Sequence, residues 1–284
     1  MSEQILKALM ELFAIIVRPK NHETTGEDRR PVVESFLHRQ LNQDLVSEYI
    51  KIYDTYFEKH QNLVNRRGKK RIGPDSVKLL RICDQINHEL TQQQKLVVLV
   101  YLFEFVNIDS AEISDQEYEF IETVSDSFYI EREEHDNIRD YTTSNENDEL
   151  SSDKILIIKK FKTDSHNHET NTLIKFKGQL RILHVASANL YFIRYLGDNE
   201  IYLNGQLLQP DKVHVFTAGS SLRNSAIKTI YYSDIVSIFH SESTESKIEL
   251  ETKDISYTFK NGTIGLHPLS FTEKSGRLVG IMGA

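Results

Sequence analysis

Cysteine is almost absent from this 284-residue chain, and tryptophan is missing altogether. The single Cys83 has no partner for an internal disulfide, which is typical of proteins in a reducing cytosol. No run approaches the roughly 20 apolar residues that a membrane-spanning helix needs. The opening MSEQILKALMELF has neither a basic region nor a small-residue cleavage site, so we expect no secretory signal. These absences argue against a disulfide-bonded secreted protein and against an integral membrane protein.

Positive charge is also scarce, but only in the first half of the chain. Residues 1–145 contain 18 Lys and Arg against 26 Asp and Glu, which accounts for the whole net charge of −8. Residues 146–284 contain 16 of each kind. Because phosphate backbones are bound by positively charged surface, we expect no nucleic-acid partner. The asymmetry also predicts a domain boundary near the middle of the chain.

Helical periodicity dominates residues 1–140, which we expect to form an all-α bundle. The run KLVVLVYLFEFV is apolar nearly all round, which is typical of the buried central helix of a small bundle, and Thr91 is its expected N-cap. Ser114 and Glu117 have the spacing of a capping box, so a helix should begin there. The acidic run from Glu131 to Asp136 predicts the start of one more short helix.

Residues 141–153 have the sequence YTTSNENDELSSD, whose composition predicts a linker, and the helical spacing of apolar residues ends there. Short runs rich in β-branched and aromatic residues follow at intervals of about ten, which predicts an all-β sandwich over residues 154–240, with DIVSIF as its last strand. Asn204-Gly205 predicts a tight hairpin turn. A second linker is expected at residues 241–247. The third unit, residues 248–284, predicts strands around the turn at Asn261-Gly262.

The third unit, KIELETKDISYTFKNGTIGLHPLSFTEKSGRLVGIMGA, resembles the opening of an ABC-transporter nucleotide-binding domain. In that family an aromatic residue on an antiparallel strand pair stacks on adenine, and a strand then leads into the glycine-rich phosphate loop. Phe259 matches the aromatic position, and Leu278–Met282 match the strand. The alternatives are that Phe259 is an ordinary core residue of its strand, or that Tyr257 is the aromatic platform. Gly276 matches the turn before that strand. Gly283 matches the first glycine of G-x-x-x-x-G-K-[ST].

The resemblance implies a parent protein that binds and hydrolyses ATP with Mg²⁺ to drive transport. Its implied partners are a membrane-spanning subunit or domain and a second ATP-binding domain, and its implied location is the cytoplasm at the inner face of the cell membrane. The 284 residues contain only the first two of the eight motif positions and lack the phosphate-binding lysine. We therefore expect the chain to be the N-terminal part of a longer protein and to be catalytically incompetent by itself.

Residues 1–140 resemble the TerB-like helical domain of tellurite-resistance proteins, and FVNIDSAEISDQEYEFIETV carries the resemblance. In that family acidic residues from two half-motifs are implicated in binding divalent metal, and the matched positions are Asp109, Glu112 and Glu117. Oxygen ligands of this kind suit Ca²⁺ or Mg²⁺. The first half-motif departs from the pattern, because Asn21-His22 stand where Asp-Gly is expected. The alternative is that Glu117 caps its helix and Asp109 shapes its turn.

Part of the β region, GDNEIYLNGQLLQPDKVHVFTAGSSLR, is similar to the closing hairpin of forkhead-associated domains, which bind phosphothreonine. The Gly-Arg and nearby Ser of that family are not found, and Arg223 and Asn224 follow the hairpin rather than precede it. A structural spacer is the alternative. The basic run Arg66–Arg71 indicates a solvated loop, with a surface for anionic lipid or a contact with nucleic acid as the alternatives. His166 and His168 form a pair with too few neighbouring ligands to predict zinc.

Together these patterns predict an α+β multidomain chain: a helical bundle, an all-β domain, and the first strands of an ABC ATPase. The functional hypothesis is the N-terminal regulatory or docking region of an ABC transporter ATP-binding protein. The alternative is a stand-alone cytosolic TerB-like protein that binds a metal or a partner and has no ATPase activity.

Overall fold

The structure is a computed structural model, and it divides the chain into two compact units, residues 1–235 and 236–284. It describes the following residues: 2–16, 29–38, 41–67, 73–107, 113–159, 178–224, 227–241, 249–274 and 280. Within these ranges the fold is mixed α+β, with seven helices first and antiparallel strands after them, so the coarse fold class is confirmed. No helix in the described part is long and apolar enough to cross a lipid bilayer.

The helical half of unit 1 is built around its most apolar segment. Its helices are α1 (Glu3–Ile16), α2 (Arg30–His38), α3 (Gln43–Arg67), α4 (Gly73–Glu89), α5 (Gln92–Val106), α6 (Asp115–Ser127) and α7 (Arg132–Thr143). From Lys95 to Val106 every side chain of α5 except Val97 is buried, which confirms its prediction as the central helix. Aromatic rings fill the space around it: Phe105 meets Phe13 of α1 edge-on, with ring centroids 5.2 Å apart, and Tyr101 meets Phe36 of α2 at 5.3 Å.

Both predicted helix starts are confirmed. The Thr91 hydroxyl accepts the backbone N–H of Gln94, and the Gln94 side chain accepts the N–H of Thr91 in return. Ser114 and Glu117 form the same reciprocal pair at the start of α6. Each box satisfies backbone donors that have no partner inside the helix, which is why Ser/Thr-x-x-Glu/Gln is a reliable start signal.

Two four-stranded antiparallel sheets follow the helices in unit 1. The strands are β1 (Ile155–Ile158), β2 (Gln179–Val185), β3 (Leu190–Leu196), β4 (Tyr202–Leu203), β5 (Gln206–Leu207), β6 (Val213–Phe216), β7 (Ser221–Asn224) and β8 (Ile227–Tyr231). One sheet has the order β1-β2-β3-β6 and the other β5-β4-β7-β8. The predicted turn between β4 and β5 is confirmed, since Asn204 and Gly205 both have positive φ, 53° and 84°.

The prediction of a strand at DIVSIF is wrong. These residues belong to α8 (Tyr232–Ser241), whose apolar side chains include Ile235, Ile238 and Phe239 at spacings of three and four. The Asp234 carboxylate accepts the backbone N–H of Tyr231 at 2.9 Å, a contact that satisfies a free donor at the helix start. A short apolar run fits both the two-residue period of a strand and the 3.6-residue period of a helix. Here Asp234, at the start of the run, favours the helix.

The helical and β halves share one core. The hydrophobic cluster that contains α1 and α5 continues into the sheet through Leu183, Val185, Phe192 and Val213. Residues 141–153, predicted as a linker, join the two halves in sequence, but α7 extends to Thr143 and Tyr141 is fully buried. The first unit therefore includes both halves, and its boundary at Ile235 precedes the expected linker at 241–247.

Unit 2 contains an antiparallel hairpin of β9 (Glu249–Thr258) and β10 (Ile264–Lys274). The connection between the strands is tight: the Phe259 N–H donates to the Thr263 carbonyl at 2.8 Å, and the Gly262 N–H donates to the Phe259 carbonyl at 2.9 Å. Gly262 has φ 85°, which a side chain would disfavour, so the predicted Asn261-Gly262 turn is confirmed.

Candidate functional site

One face of the β9–β10 hairpin is apolar and exposed. Directly opposite residues of an antiparallel pair share a face, and the register pairs Ile255 with Leu269 and Tyr257 with Leu266. An extra residue at Asp254, which has φ 47°, keeps Leu250 on this same face despite the odd spacing. The exposed large apolar side chains of this face, which we call the hairpin face, are Leu250, Ile255, Tyr257, Leu266 and Leu269.

The aromatic pair predicted from the sequence is present at the turn end of the hairpin. The rings of Tyr257 and Phe259 meet edge-on with centroids 5.0 Å apart. The Phe259 ring also lies against the backbone of Gly265, where a Cβ atom would come within 2.5 Å of the ring. Glycine at this position therefore leaves room for the ring. Phe259 remains 50% exposed and Tyr257 57% exposed, so both rings retain surface on which a planar ligand could stack.

The phosphate side of the predicted nucleotide site cannot be placed in the same way. Gly276, most of the strand Leu278–Met282 and Gly283 lie outside the described residues. The basic run at 66–71, the histidines His166 and His168, and the early acidic segment around Asn21-His22 lie outside the described side chains as well. Of the residues predicted for a nucleotide site, the structure describes the side chains of the two aromatic ones, Tyr257 and Phe259.

Of the three predicted metal ligands, only Glu117 is described; Asp109 and Glu112 lie outside the described residues. The Glu117 side chain is 1% exposed, and both of its oxygens are occupied. Oε1 accepts from Arg29 Nη1 at 3.1 Å, and Oε2 accepts from the backbone N–H and the hydroxyl of Ser114 at 3.0 and 2.8 Å. A carboxylate engaged in this way does not fit the role of a metal ligand, and the described residues contain no cluster of three potential ligands.

A pair of buried arginines, which sequence reasoning missed, occupies the junction between helices and sheet. Arg181 of β2 and Arg194 of β3 stand directly opposite each other in the strand register. Their exposed fractions are 0% and 3%. Like charges at directly opposite positions repel, and a buried charge needs hydrogen-bond partners. The pair therefore depends on acceptors supplied by the rest of the fold.

The acceptors of Arg181 come from the segment that follows α7. Its Nη1 donates to the Ser144 hydroxyl at 2.5 Å, and its Nη2 donates to the carbonyls of Asn145, Glu146 and Asp148 at 2.6, 3.2 and 3.2 Å. All four partners are neutral groups. Burial, followed by the positive charge of Arg194, lowers the pKa of Arg181 from its ordinary value. Arg181 therefore holds this segment to the sheet by direct hydrogen bonds to its backbone.

Arg194 binds the end of α7 itself. Its Nη1 donates to the carbonyls of Tyr141 and Ser144 at 2.8 and 2.9 Å, and its Nε and Nη2 donate to the Asp211 carboxylate. The carbonyls at a helix C-terminus carry partial negative charge, which suits a guanidinium. We call Arg181, Arg194 and their acceptors in residues 141–148 the arginine clamp. The sequence indicates the arginine clamp only by placing one arginine inside each of two apolar runs, QLRILHV and NLYFIRYL.

A shallow cleft of about 370 Å³ lies between the start of α7 and the end of β2. Glu131, Glu133 and Glu134 line its helical side, and Leu183 and Val185 form part of the other. Glu134 accepts the backbone N–H and the hydroxyl of Ser187 at 2.9 and 2.7 Å, so this carboxylate joins the helix to the turn after β2. The acidic run is thus placed at a helix start, as its sequence predicted.

Comparison with known proteins gave no match: no protein-family profile, curated protein sequence or solved structure is significantly similar to the chain. The functional argument therefore rests on the geometry of the described residues.

Proposed function

We propose that this chain is the N-terminal regulatory or docking region of an ABC transporter ATP-binding protein, and that the β9–β10 hairpin opens its nucleotide-binding domain. The observation that carries the proposal is the hairpin face with its aromatic pair. The five large apolar side chains of the hairpin face, which include Tyr257, and the half-exposed ring of Phe259 lie on a two-stranded sheet in the described part of unit 2. An isolated hairpin of this kind is marginally stable in water, which favours packing against further structure.

Phe259 is the residue proposed to stack on adenine. Its ring is supported from one side by the edge-on ring of Tyr257 and lies against the backbone of Gly265. A ring supported in this way presents a fixed surface, so stacking a base on it costs little side-chain entropy. Base–aromatic stacking contributes about 1–3 kcal/mol for a well-placed ring. Tyr257 is the alternative platform if Phe259 is covered in the parent.

The remaining parts of the site would come from the parent protein. Gly283 would begin the phosphate loop, whose backbone N–H groups and lysine bind the nucleotide phosphates together with Mg²⁺. Catalysis of phosphoryl transfer then relies on positioned charge around the phosphates. In the proposal, ATP closes two such domains, and this movement drives a membrane-spanning partner. Unit 1, with its helical and β halves held by the arginine clamp, serves as the docking or regulatory module.

The reading frame after Ala284 tests the proposal directly. We expect codons that complete the phosphate loop, with a glycine five positions after Gly283 followed by lysine and then serine or threonine. A natural stop codon in that place would contradict the proposal and favour the stand-alone TerB-like alternative.

A nucleotide titration of the 284-residue chain gives a second test. Because the chain lacks the phosphate-binding lysine, we expect calorimetry with Mg-ATP to show no binding tighter than about 1 mM. Micromolar affinity would mean that the nucleotide is held by some other site, and would contradict the assignment.

A further inference from the structure

Helix α7 connects the two halves of unit 1. Its middle packs on α5 at the centre of the helical half, and its C-terminal end packs on β2. The arginine clamp holds that end through the carbonyls of Tyr141 and Ser144. The Tyr141 hydroxyl in turn donates to the Arg181 carbonyl at 3.3 Å. Any change that loosens α7 therefore acts on the junction between helices and sheet.

A histidine lies in the buried face of this helix. His135 is 5% exposed, and its ring meets the ring of Phe103 of α5 at a tilt of 67°, with centroids 5.3 Å apart. Its Nδ1 is buried and has no hydrogen-bond partner among the described residues. The neutral ring can leave this nitrogen unprotonated, at modest cost. A protonated ring carries N–H on both nitrogens and would bury a donor that has no acceptor.

Nearby charges do not offset the free-energy cost of burying a protonated His135 ring. On α7 itself, Arg132 and Arg139 lie close to His135 together with Asp136, and α6 contributes Glu122. These four groups pair with one another: Arg132 with Glu122 and Asp136, and Arg139 with Asp136. Because two of these charges are positive and two are negative, their effects on His135 oppose each other. Burial is therefore the leading cause that lowers the pKa of His135 below its usual value of 6.5.

The other elements packed on α7 add no compensating charge. From α5 the neighbour is the uncharged ring of Phe103, while the Glu104 carboxylate accepts from the Val213 N–H and pairs with Lys212. On β2, Arg181 is directed to residues 144–148, and His184 stacks on Tyr191 with centroids 4.4 Å apart. No carboxylate in the described residues thus accepts a hydrogen bond from Nδ1 of His135.

We propose that α7 is an acid-sensitive joint, in which protonation of His135 loosens the helix from α5 and weakens the arginine clamp between the two halves of unit 1. Opening exposes the imidazole to water, where it takes up a proton freely. The open state therefore binds more protons than the closed state below pH 6.5 and is favoured as the pH falls. The device responds to mild acid while the rest of the core stays folded.

Hydrogen exchange measured by mass spectrometry tests the joint in the whole chain. Exchange is followed at pH 7.5 and 5.5, after correction for the intrinsic exchange rate, in fragments covering residues 132–148. The opening equilibrium of these amides should rise at the lower pH, by up to about tenfold, because the open state takes up a proton more readily than the closed state. His135→Phe keeps the ring contact with Phe103 and removes the proton site, so its rise should stay under about twofold.

His88→Gln is the matched control, because His88 is exposed on α4 and should leave the response unchanged. Equal pH responses in the wild type and in His135→Phe would overturn the proposal. If His135→Phe does not fold, NMR titration of the wild-type imidazole decides the matter. The His135 ring should reach half-protonation only below pH 6.5 in the folded chain, and half-protonation at pH 6.5 or above would overturn the proposal.

Discussion

The Glu117 carboxylate has two structural roles, because it caps a helix and also pairs with a buried arginine. Glu117 caps α6 through Ser114 and pairs with Arg29, whose guanidinium also lies 5.7 Å from the centre of the Phe105 ring. The cap could be predicted from the spacing in the sequence, because the capping box is a local motif. The pairing with Arg29, 88 residues away, could not, since it depends on how α6 packs.

Glu117→Gln should destabilise unit 1 by about 3 kcal/mol, because it leaves the buried Arg29 guanidinium without its counter-charge. Urea unfolding measures the change. Glu34→Gln is the control: Glu34 pairs with Arg30 on the surface, and its loss should cost less than about 1 kcal/mol. If Glu117→Gln instead kept full stability and abolished heat of Ca²⁺ binding, the metal-ligand alternative would replace the structural one.

Cys83 should be chemically inert in the folded chain. The thiol is fully buried, and burial raises its pKa to about 12, so almost no thiolate forms at pH 8. Labelling with a chromogenic disulfide reagent should be at least ~100-fold slower in the native protein than in urea. Ser151→Cys in a Cys83→Ser background supplies an exposed comparison, which should react rapidly. Fast native labelling of Cys83 would contradict the burial of α4 against the core.

Among the elements, those with local signals were predicted well and those decided by distant contacts were not. The turn at Asn204-Gly205 and the helix start at Thr91 follow from residues within four positions. The sequence predicts a strand at the α8 segment because a short apolar run is compatible with both the helical and the strand period. The arginine clamp requires the β2–β3 register, which places Arg181 opposite Arg194, and a single sequence does not specify that register.

Arg181→Met should weaken the attachment of residues 144–148 to the sheet. Methionine fills much of the volume but offers no donors, so the Asn145, Glu146 and Asp148 carbonyls lose the guanidinium partner that the described residues provide. We expect a loss of about 2–4 kcal/mol in the free energy of unfolding and faster amide exchange in 144–150. Arg223→Met, at an exposed position of β7, should change stability by less than about 0.5 kcal/mol. Equal effects of the two variants would contradict the clamp.

On the scale of the whole molecule, the shared core of unit 1 has a measurable consequence. The hydrophobic cluster runs from α1 through α5 into β2 and β3, so the helical and β halves should unfold together. Hydrogen exchange in increasing urea should give the same midpoint for fragments from α5 and from β3. Separate midpoints for the two halves would show that the boundary predicted at residues 141–153 is a true domain boundary.

The proposed role of unit 2 depends on one aromatic surface. The antiparallel strands and the turn at Asn261-Gly262 could be predicted from the sequence, and so could the proximity of Tyr257 and Phe259. The support from Gly265 could not, because it arises from the cross-strand position of a glycine next to an irregular register. The proposed function is correct only if the Phe259 ring binds the base of a nucleotide.

The most direct test measures the affinity of the proposed full-length parent protein for a fluorescent ATP analogue, with and without the Phe259 ring. Phe259→Ala should weaken binding by about tenfold or more, as expected for the loss of one stacked base. Ile255→Ala on the same hairpin face is the control, and should have little effect on nucleotide affinity. Unchanged affinity in both Phe259→Ala and Tyr257→Ala, or no nucleotide binding by the wild type, would contradict the account.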